Sequence, residues 1–153
     1  MSARNLINIE QVSKSYGKGP VLDDVSLGIA ERERIGIVGR NGGGKSTLMR
    51  MMAGTETPHA GRISHTTDCH ISTLAQIDSM DPHITVRQFL LGNQADHEWA
   101  TMAHVRDVFT GLFGGFDEEV MQRALGPLSG GERRRVALAR LLIQPSDVLL
   151  LDE

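Results

Sequence analysis

The string Gly39-Arg40-Asn41-Gly42-Gly43-Gly44-Lys45-Ser46, with Thr47 next, has the spacing G-x-x-x-x-G-K-[ST]. Glycines let the backbone fold tightly around an anion so that successive N–H groups turn inward, and a helix that opens there adds its positive end. Phosphate is the guest that such a loop suits. Lys45 then reaches the outer phosphate oxygens as a flexible point charge, and the Ser46 hydroxyl is an oxygen ligand for the accompanying Mg²⁺. The alternative is a plain glycine turn between strand and helix. The context favours the phosphate loop, because the apolar residues 35–38 precede it and a helix-like run, residues 47–52, follows.

Two further strings carry chemistry. Leu128-Ser129-Gly130-Gly131-Glu132 stands before a long helical run, residues 133–143. Ser129 and Glu132 are spaced as an N-cap and its N3 partner, while Gly130 and Gly131 leave the helix start open to close approach by an anion; the two readings are compatible. Near the end, Val148-Leu149-Leu150-Leu151 reads as a buried strand that delivers Asp152 and Glu153 at its tip. Nucleotide hydrolases hold Mg²⁺ and position water with carboxylates placed this way.

These residues need a scaffold that presents loops at strand ends. Ile7 and Ile9, then Val25, Leu27 and Ile29, alternate with polar neighbours and predict two half-buried strands separated by a turn-rich segment, residues 13–20. The apolar runs 35–38 and 148–151 do not alternate, which predicts strands covered on both faces in a parallel sheet. Another strand is expected near residues 70–74, entered by a hairpin that starts at residues 61–64. Beyond Gln76 the pattern turns helical. Thr85-Val86-Arg87-Gln88 has capping-box spacing, with Val86, Phe89 and Leu90 on one face, and Met102, Val105, Phe109 and Leu112 continue the period. Gly111, Gly114 and Gly115 are expected to stop that helix, and Asp117 to cap a short one running to Leu125, ended by Gly126-Pro127. Trp99 and the Met102 stripe read as packing.

The 153 residues suit about one domain. With 16 basic and 19 acidic residues, no global field draws the chain to nucleic acid or an anionic membrane. Cys69 is the only cysteine, so an internal disulfide is excluded and a reducing compartment fits. The N-terminus leads into Leu6, Ile7, Asn8 and Ile9 in place of a continuous apolar signal core, and no window approaches the ~18 apolar residues that span a bilayer. A cytoplasmic location is therefore expected.

Taken together, the three strings resemble the nucleotide-binding domain of the ATP-binding cassette (ABC) superfamily over essentially the whole chain. The resemblance implies an α/β fold: a P-loop NTPase core with an N-terminal antiparallel β region and a small helical signature subdomain. It divides the chain into residues 1–76 (β region and Walker A core), 77–128 (helical insert) and 129–153 (signature helix and Walker B strand). By the same resemblance residues 39–47 are the Walker A loop, 128–132 the signature and 148–152 the Walker B strand. Gln76 matches the Q-loop glutamine near Mg²⁺ and the attacking water, and Tyr16 the aromatic that stacks on adenine, with a turn tyrosine beside Gly17 as its alternative.

The implied chemistry is Mg-dependent hydrolysis of ATP. Lys45 neutralises charge, Ser46 and Asp152 hold the metal, and Glu153 orients or deprotonates water. In this superfamily the signature of one cassette completes the ATP site of another, so Ser129, Gly130 and Gly131 would face a nucleotide held by a second cassette, in cis or in a dimer. The Walker A and signature strings are most similar to the soluble ABC-F branch, whose members carry two cassettes and act on ribosomes. The ATPase subunit of a membrane transporter, docked on a permease, is the competing expectation, and a cassette that binds nucleotide without turnover is a third. The short cluster Arg133, Arg134 and Arg135 reads as a solvated helix face in preference to an RNA contact. Family cassettes continue past the position of Glu153 into a partner-contacting loop, a strand and a histidine, so the 153-residue chain alone is expected to have little ATPase activity. Gly43 stands where alanine or serine is commoner in the family.

Overall fold

The computed structural model describes residues 4–17, 19–74, 80–93 and 95–152, with residues 96 and 97 described in their backbone only. They form two compact units, one of residues 1–73 with 146–153 and one of residues 74–145. The helix of residues 130–143 thus groups with residues 74–129, and the strand of residues 148–150 with the loop of residues 39–44.

In the first unit, β1 (Asn5–Ser15) is the middle strand of an antiparallel sheet ordered β2-β1-β3, with β2 at Pro20–Ala30 and β3 at Ala60–His65. Its alternation buries Ile7, Ile9 and Val12, which stand opposite Ile29, Leu27 and Val25 of β2. The register slips between Ile9 and Val12, where Gln11 adopts a positive φ of 49°, as expected of a bulge that bends a long strand. Helix α1 (Lys45–Met52) buries Leu48, Met51 and Met52 against this apolar face. Two further strands, β4 (Ile71–Thr73) and β5 (Val148–Leu150), pair in parallel, with Ile71 opposite Val148. Asp147 secures the start of the pair by accepting the His70 N–H at 2.9 Å.

Several expectations are corrected in this unit, among them the fully buried strand 148–151, since β5 ends at Leu150 and Leu149 and Leu151 are 40% and 52% exposed. β3 forms no hairpin with β4; it pairs antiparallel with β1, Ile63 opposite Ile9, because that register puts Ile63 against the buried apolar row. Residues 35–38 lie outside every described strand, and Val38 is 93% exposed. A strand covered on both faces needs a ladder neighbour, and among the described residues β5 pairs only with β4. Instead, Ile35 and Ile37 line an apolar concavity of about 480 Å³ with Leu6, Ile29, Met52 and Val148.

The second unit is helical: α2 (Val86–Leu91), α3 (Asp96–Trp99), α4 (Ala103–Phe113), α5 (Glu118–Gln122) and α6 (Gly130–Ile143). Val86, Leu90, Val105, Phe109, Met121 and Val136 are among its buried residues. Trp99 is packing, as expected: its ring meets Phe109 edge-on at 5.5 Å and stacks on Phe116 at 4.8 Å. Each of the three anticipated caps forms. Thr85 and Gln88 complete a capping box, Asp117 accepts from the N–H groups of Glu119 and Val120, and Ser129 pairs reciprocally with Glu132. Gly114, in the left-handed conformation, ends α4, whereas Gly111 lies inside that helix; α5 ends at Gln122 and not at Leu125. Among the described residues, no helix is long and apolar enough to cross a membrane.

Candidate nucleotide site

The loop ahead of α1 turns on Gly42 and Gly44, whose φ values of 77° and 85° lie in the left-handed region. The Gly43 N–H donates to the Arg40 carbonyl at 3.0 Å, closing the turn. The first helical bond runs from the Leu48 N–H to the Gly44 carbonyl at 2.8 Å, so the N–H groups of Lys45, Ser46 and Thr47 precede the helical ladder. A helix start that spends no N–H on itself, with no acidic residue in its first turn, is electrically suited to an anion. The backbone is packed closely enough to exclude side chains. A Cβ at Gly43 would stand 2.9 Å from the Arg40 carbonyl oxygen, and one at Gly44 2.8 Å from that of Val21.

Lys45 Nζ donates to the carbonyls of Gly39 at 3.0 Å and Arg40 at 3.2 Å. These bonds hold the ammonium over the loop and use two of its three donors, which leaves one for a guest. Ser46 is half-buried beside it, and Thr47 is buried, its Oγ1 receiving Arg50 Nη2 at 3.2 Å. Residues 39–47 therefore form one continuous loop and helix start, as the sequence predicts.

Asp152 follows β5 in the same unit and is half-buried. Among the described residues, no three His, Cys, Asp or Glu side chains converge into a metal cluster. A serine hydroxyl and an aspartate carboxylate fit a hard dication such as Mg²⁺, which keeps waters and takes phosphate oxygens as its remaining ligands. Gln76 and Glu153 lie outside the described residues.

Tyr16 follows β1 and is 48% exposed. Its hydroxyl donates to Glu56 Oε1, and Lys14 Nζ lies 5.5 Å from its ring centroid, over one face. Glu56 also receives Lys14 Nζ at 3.2 Å and Arg50 Nε at 3.1 Å. The Tyr16 hydroxyl, then Arg50 and Lys14, hold the Glu56 carboxyl down at about 2. Sequence reasoning missed Lys14, Arg50 and Glu56. They belong to no spacing motif, and the fold assembles them from the end of β1, the last turn of α1 and the loop before β3.

Ser129, Gly130 and Gly131, the residues expected to form the signature, lie at the start of α6 in the second unit. Ser129 Oγ donates to Glu132 Oε2 at 2.7 Å, the Ser129 N–H donates to the same oxygen at 2.8 Å, and the Glu132 N–H returns to Ser129 Oγ at 3.3 Å. Arg123 Nη1 donates to Glu132 Oε1 at 2.8 Å. The Ser129 hydroxyl and N–H, followed by Arg123, bring the Glu132 carboxyl to about 2. A Cβ built on Gly130 or Gly131 would meet nothing within 4 Å, so the helix start is open on the outside. Arg133 departs from the expected solvated face: it is half-buried, and its guanidinium donates to the carbonyls of Leu128 at 3.0 Å and Gly126 at 3.2 Å, while Arg134 and Arg135 are exposed.

Comparison with known proteins agrees with this geometry. The family model described as ABC transporter matches residues 22–153. The energy-dependent translational throttle protein EttA of Haemophilus influenzae is 37% identical over 149 residues, covering 97% of this chain and 27% of EttA. The Nod factor export ATP-binding protein I of Paraburkholderia xenovorans is 34% identical over 163 residues, covering 96% of this chain and 52% of that protein. The chain thus spans about a quarter to a half of the length of these curated relatives. A solved ABC transporter in an inward-facing conformation superposes with a TM-score of 0.71 at 19% identity, over 98% of this chain and 60% of the other, which shows a shared fold. A phosphate-loop NTPase architecture and a family match that reaches from Leu22 to the last residue lead to one assignment: the chain belongs to the ABC superfamily and carries the ABC-F-like nucleotide-binding sequence of that family.

Proposed function

We propose that this chain is the ATP-binding part of a two-cassette, Mg-dependent ATPase of the ABC-F type, with a role at the ribosome. The observation that carries the reading is the residue 39–47 loop: left-handed glycines, a lysine held over the loop's own carbonyls, and three helix-start N–H groups ahead of the ladder. On binding, Lys45 gives its remaining donor to the outer phosphate oxygens, and the N–H groups of residues 45–47 take the inner ones. The adenine rests on the exposed part of the Tyr16 ring. Ser46 and Asp152, with Gln76, would hold Mg²⁺, and that ion would supply neutralisation of charge on the phosphoryl oxygens. Glu153 accepts the proton of the attacking water. Ser129, Gly130 and Gly131 close the site of a second cassette, with the open start of α6 turned to that nucleotide's phosphate. A cytoplasmic location follows from this role.

EttA, the translational throttle protein, supports the ABC-F branch. The Nod factor export protein supports a second reading, an ATPase subunit that serves a permease, since it matches nearly as well and over a larger share of its own length. Cosedimentation of the full-length protein with ribosomes, against copurification with a membrane complex, separates the two. The site itself is tested by titrating labelled ATP into the protein. Lys45→Ala should weaken binding by about 10-fold or more, the scale of a lost charge-assisted contact. Unchanged affinity would remove Lys45 from the site.

A further inference from the structure

Between the loop that takes phosphate and the ring offered to the base runs a chain of polar contacts that neither role requires. Tyr16 donates its hydroxyl to Glu56 Oε1. Glu56 Oε2 receives Arg50 Nε at 3.1 Å, and Arg50 Nη2 donates to Thr47 Oγ1 at 3.2 Å. Thr47 stands in the first turn of α1, directly after the glycine loop. Lys14 braces the same carboxylate at 3.2 Å, donates to the Thr57 carbonyl at 2.6 Å and covers one face of the Tyr16 ring. Glu56 is well shielded, with its side chain 17% exposed, and the Lys14 side chain is 9% exposed. Partners this sheltered are screened less by salt than a surface pair would be. A second connection fixes the loop that carries Glu56: the His59 N–H donates to the Ser13 carbonyl of β1 at 2.9 Å.

We propose that Glu56 is a positioning residue for nucleotide base recognition: it clamps the Tyr16 ring and, through Arg50 and Thr47, registers it against the phosphate loop. The proposal rests on the reading of Tyr16 as the adenine platform given above. An exposed tyrosine after a strand end has two free side-chain torsions, and a stack on a base is favourable only while the ring stays in one orientation. The clamp removes that freedom before the nucleotide arrives. Because the other end of the chain of contacts is Thr47, the ring is tied to the start of the helix that follows the phosphate loop before the nucleotide arrives.

Two probes separate this role from a merely structural one: ATP, and inorganic tripolyphosphate, which engages the phosphate loop but has no base. Glu56→Ala and Tyr16→Phe, the latter removing only the hydroxyl that Glu56 holds, should each weaken ATP by about 3- to 10-fold, the size of a compromised aromatic stack, and leave tripolyphosphate unchanged. Tyr16→Ala combined with Glu56→Ala should bind ATP no more weakly than Tyr16→Ala alone, since the clamp acts only through the ring. Equal weakening of ATP and tripolyphosphate in both Glu56→Ala and Tyr16→Phe would overturn the proposal. So would full ATP affinity in those two variants while Tyr16→Ala is impaired, which leaves the platform standing without its clamp. If Tyr16→Ala itself binds ATP normally, the platform reading fails first and takes the clamp with it.

Discussion

Gly44 is the residue at which the phosphate loop is least able to tolerate a side chain, and Gly44→Ala tests the described backbone directly. Its φ of 85° is left-handed, which costs an L-residue about 1–2 kcal/mol. Its added Cβ would also stand 2.8 Å from the Val21 carbonyl oxygen and 2.9 Å from both Leu22 Cδ2 and Val21 Cγ1. Relieving that overlap inside a packed unit costs about 1–3 kcal/mol more. Gly42→Ala is the matched control, because Gly42 has a φ of 77° but nothing within 4 Å of its Cβ position, so only the backbone cost applies. In urea, where a domain of this size loses about 1–3 kcal/mol per molar denaturant, the two variants should differ in midpoint by about 1 M, with Gly44→Ala lower. The assay is urea unfolding without nucleotide, followed by far-UV circular dichroism. Fluorescence of Trp99 serves as a separate report on the helical unit. Coincident midpoints for the two alanine variants would refute the crowding at Val21 and Leu22.

Acid should act on the cap of α6. The folded carboxyl of Glu132 sits at about 2, below its value of about 4.3 in an unfolded chain, so its contribution is complete above pH 5 and is lost as pH falls toward 2. Glu132→Gln should flatten that part of the stability profile measured by urea midpoints at a series of pH values, and an unaltered slope would contradict the reciprocal cap. In the full-length protein, Glu153→Gln should let ATP accumulate in the bound state while phosphate release slows. Parental turnover in a coupled phosphate assay would exclude Glu153 as the base.

The features legible in the sequence are those whose causes lie within a few residues. Thr85 with Gln88, Asp117 with Val120, and Ser129 with Glu132 each satisfy helix-start N–H groups at a spacing of three, so the caps form wherever the chain folds. The Gly39 to Thr47 string is legible for the same reason. What local pattern could not reveal is pairing at a distance. Residues 61–64 look like the first arm of a hairpin, yet Ile63 stands opposite Ile9, more than fifty positions away. The apolar run 35–38 states a demand for burial without naming what meets it, and here Val38 remains in solvent. The Glu56 network was hidden because Lys14, Arg50 and Glu56 come from different elements: only the folded sheet brings Lys14 and Tyr16 to the end of α1.

The parallel pairing of β4 with β5 also sets a timetable for synthesis. β1, β2, β3 and α1 can assemble from the first 65 residues, but Ile71–Thr73 has to wait for Val148–Leu150 to acquire its ladder. At about 5–20 residues per second, the roughly 75 residues between them take about 4–15 s to emerge, and the helical unit they encode is complete only a few residues before Val148. During that interval the edge of β4 and the apolar face beside it stand open on the nascent chain, a window in which a chaperone or a neighbouring nascent copy could pair with them before the protein's own strand arrives.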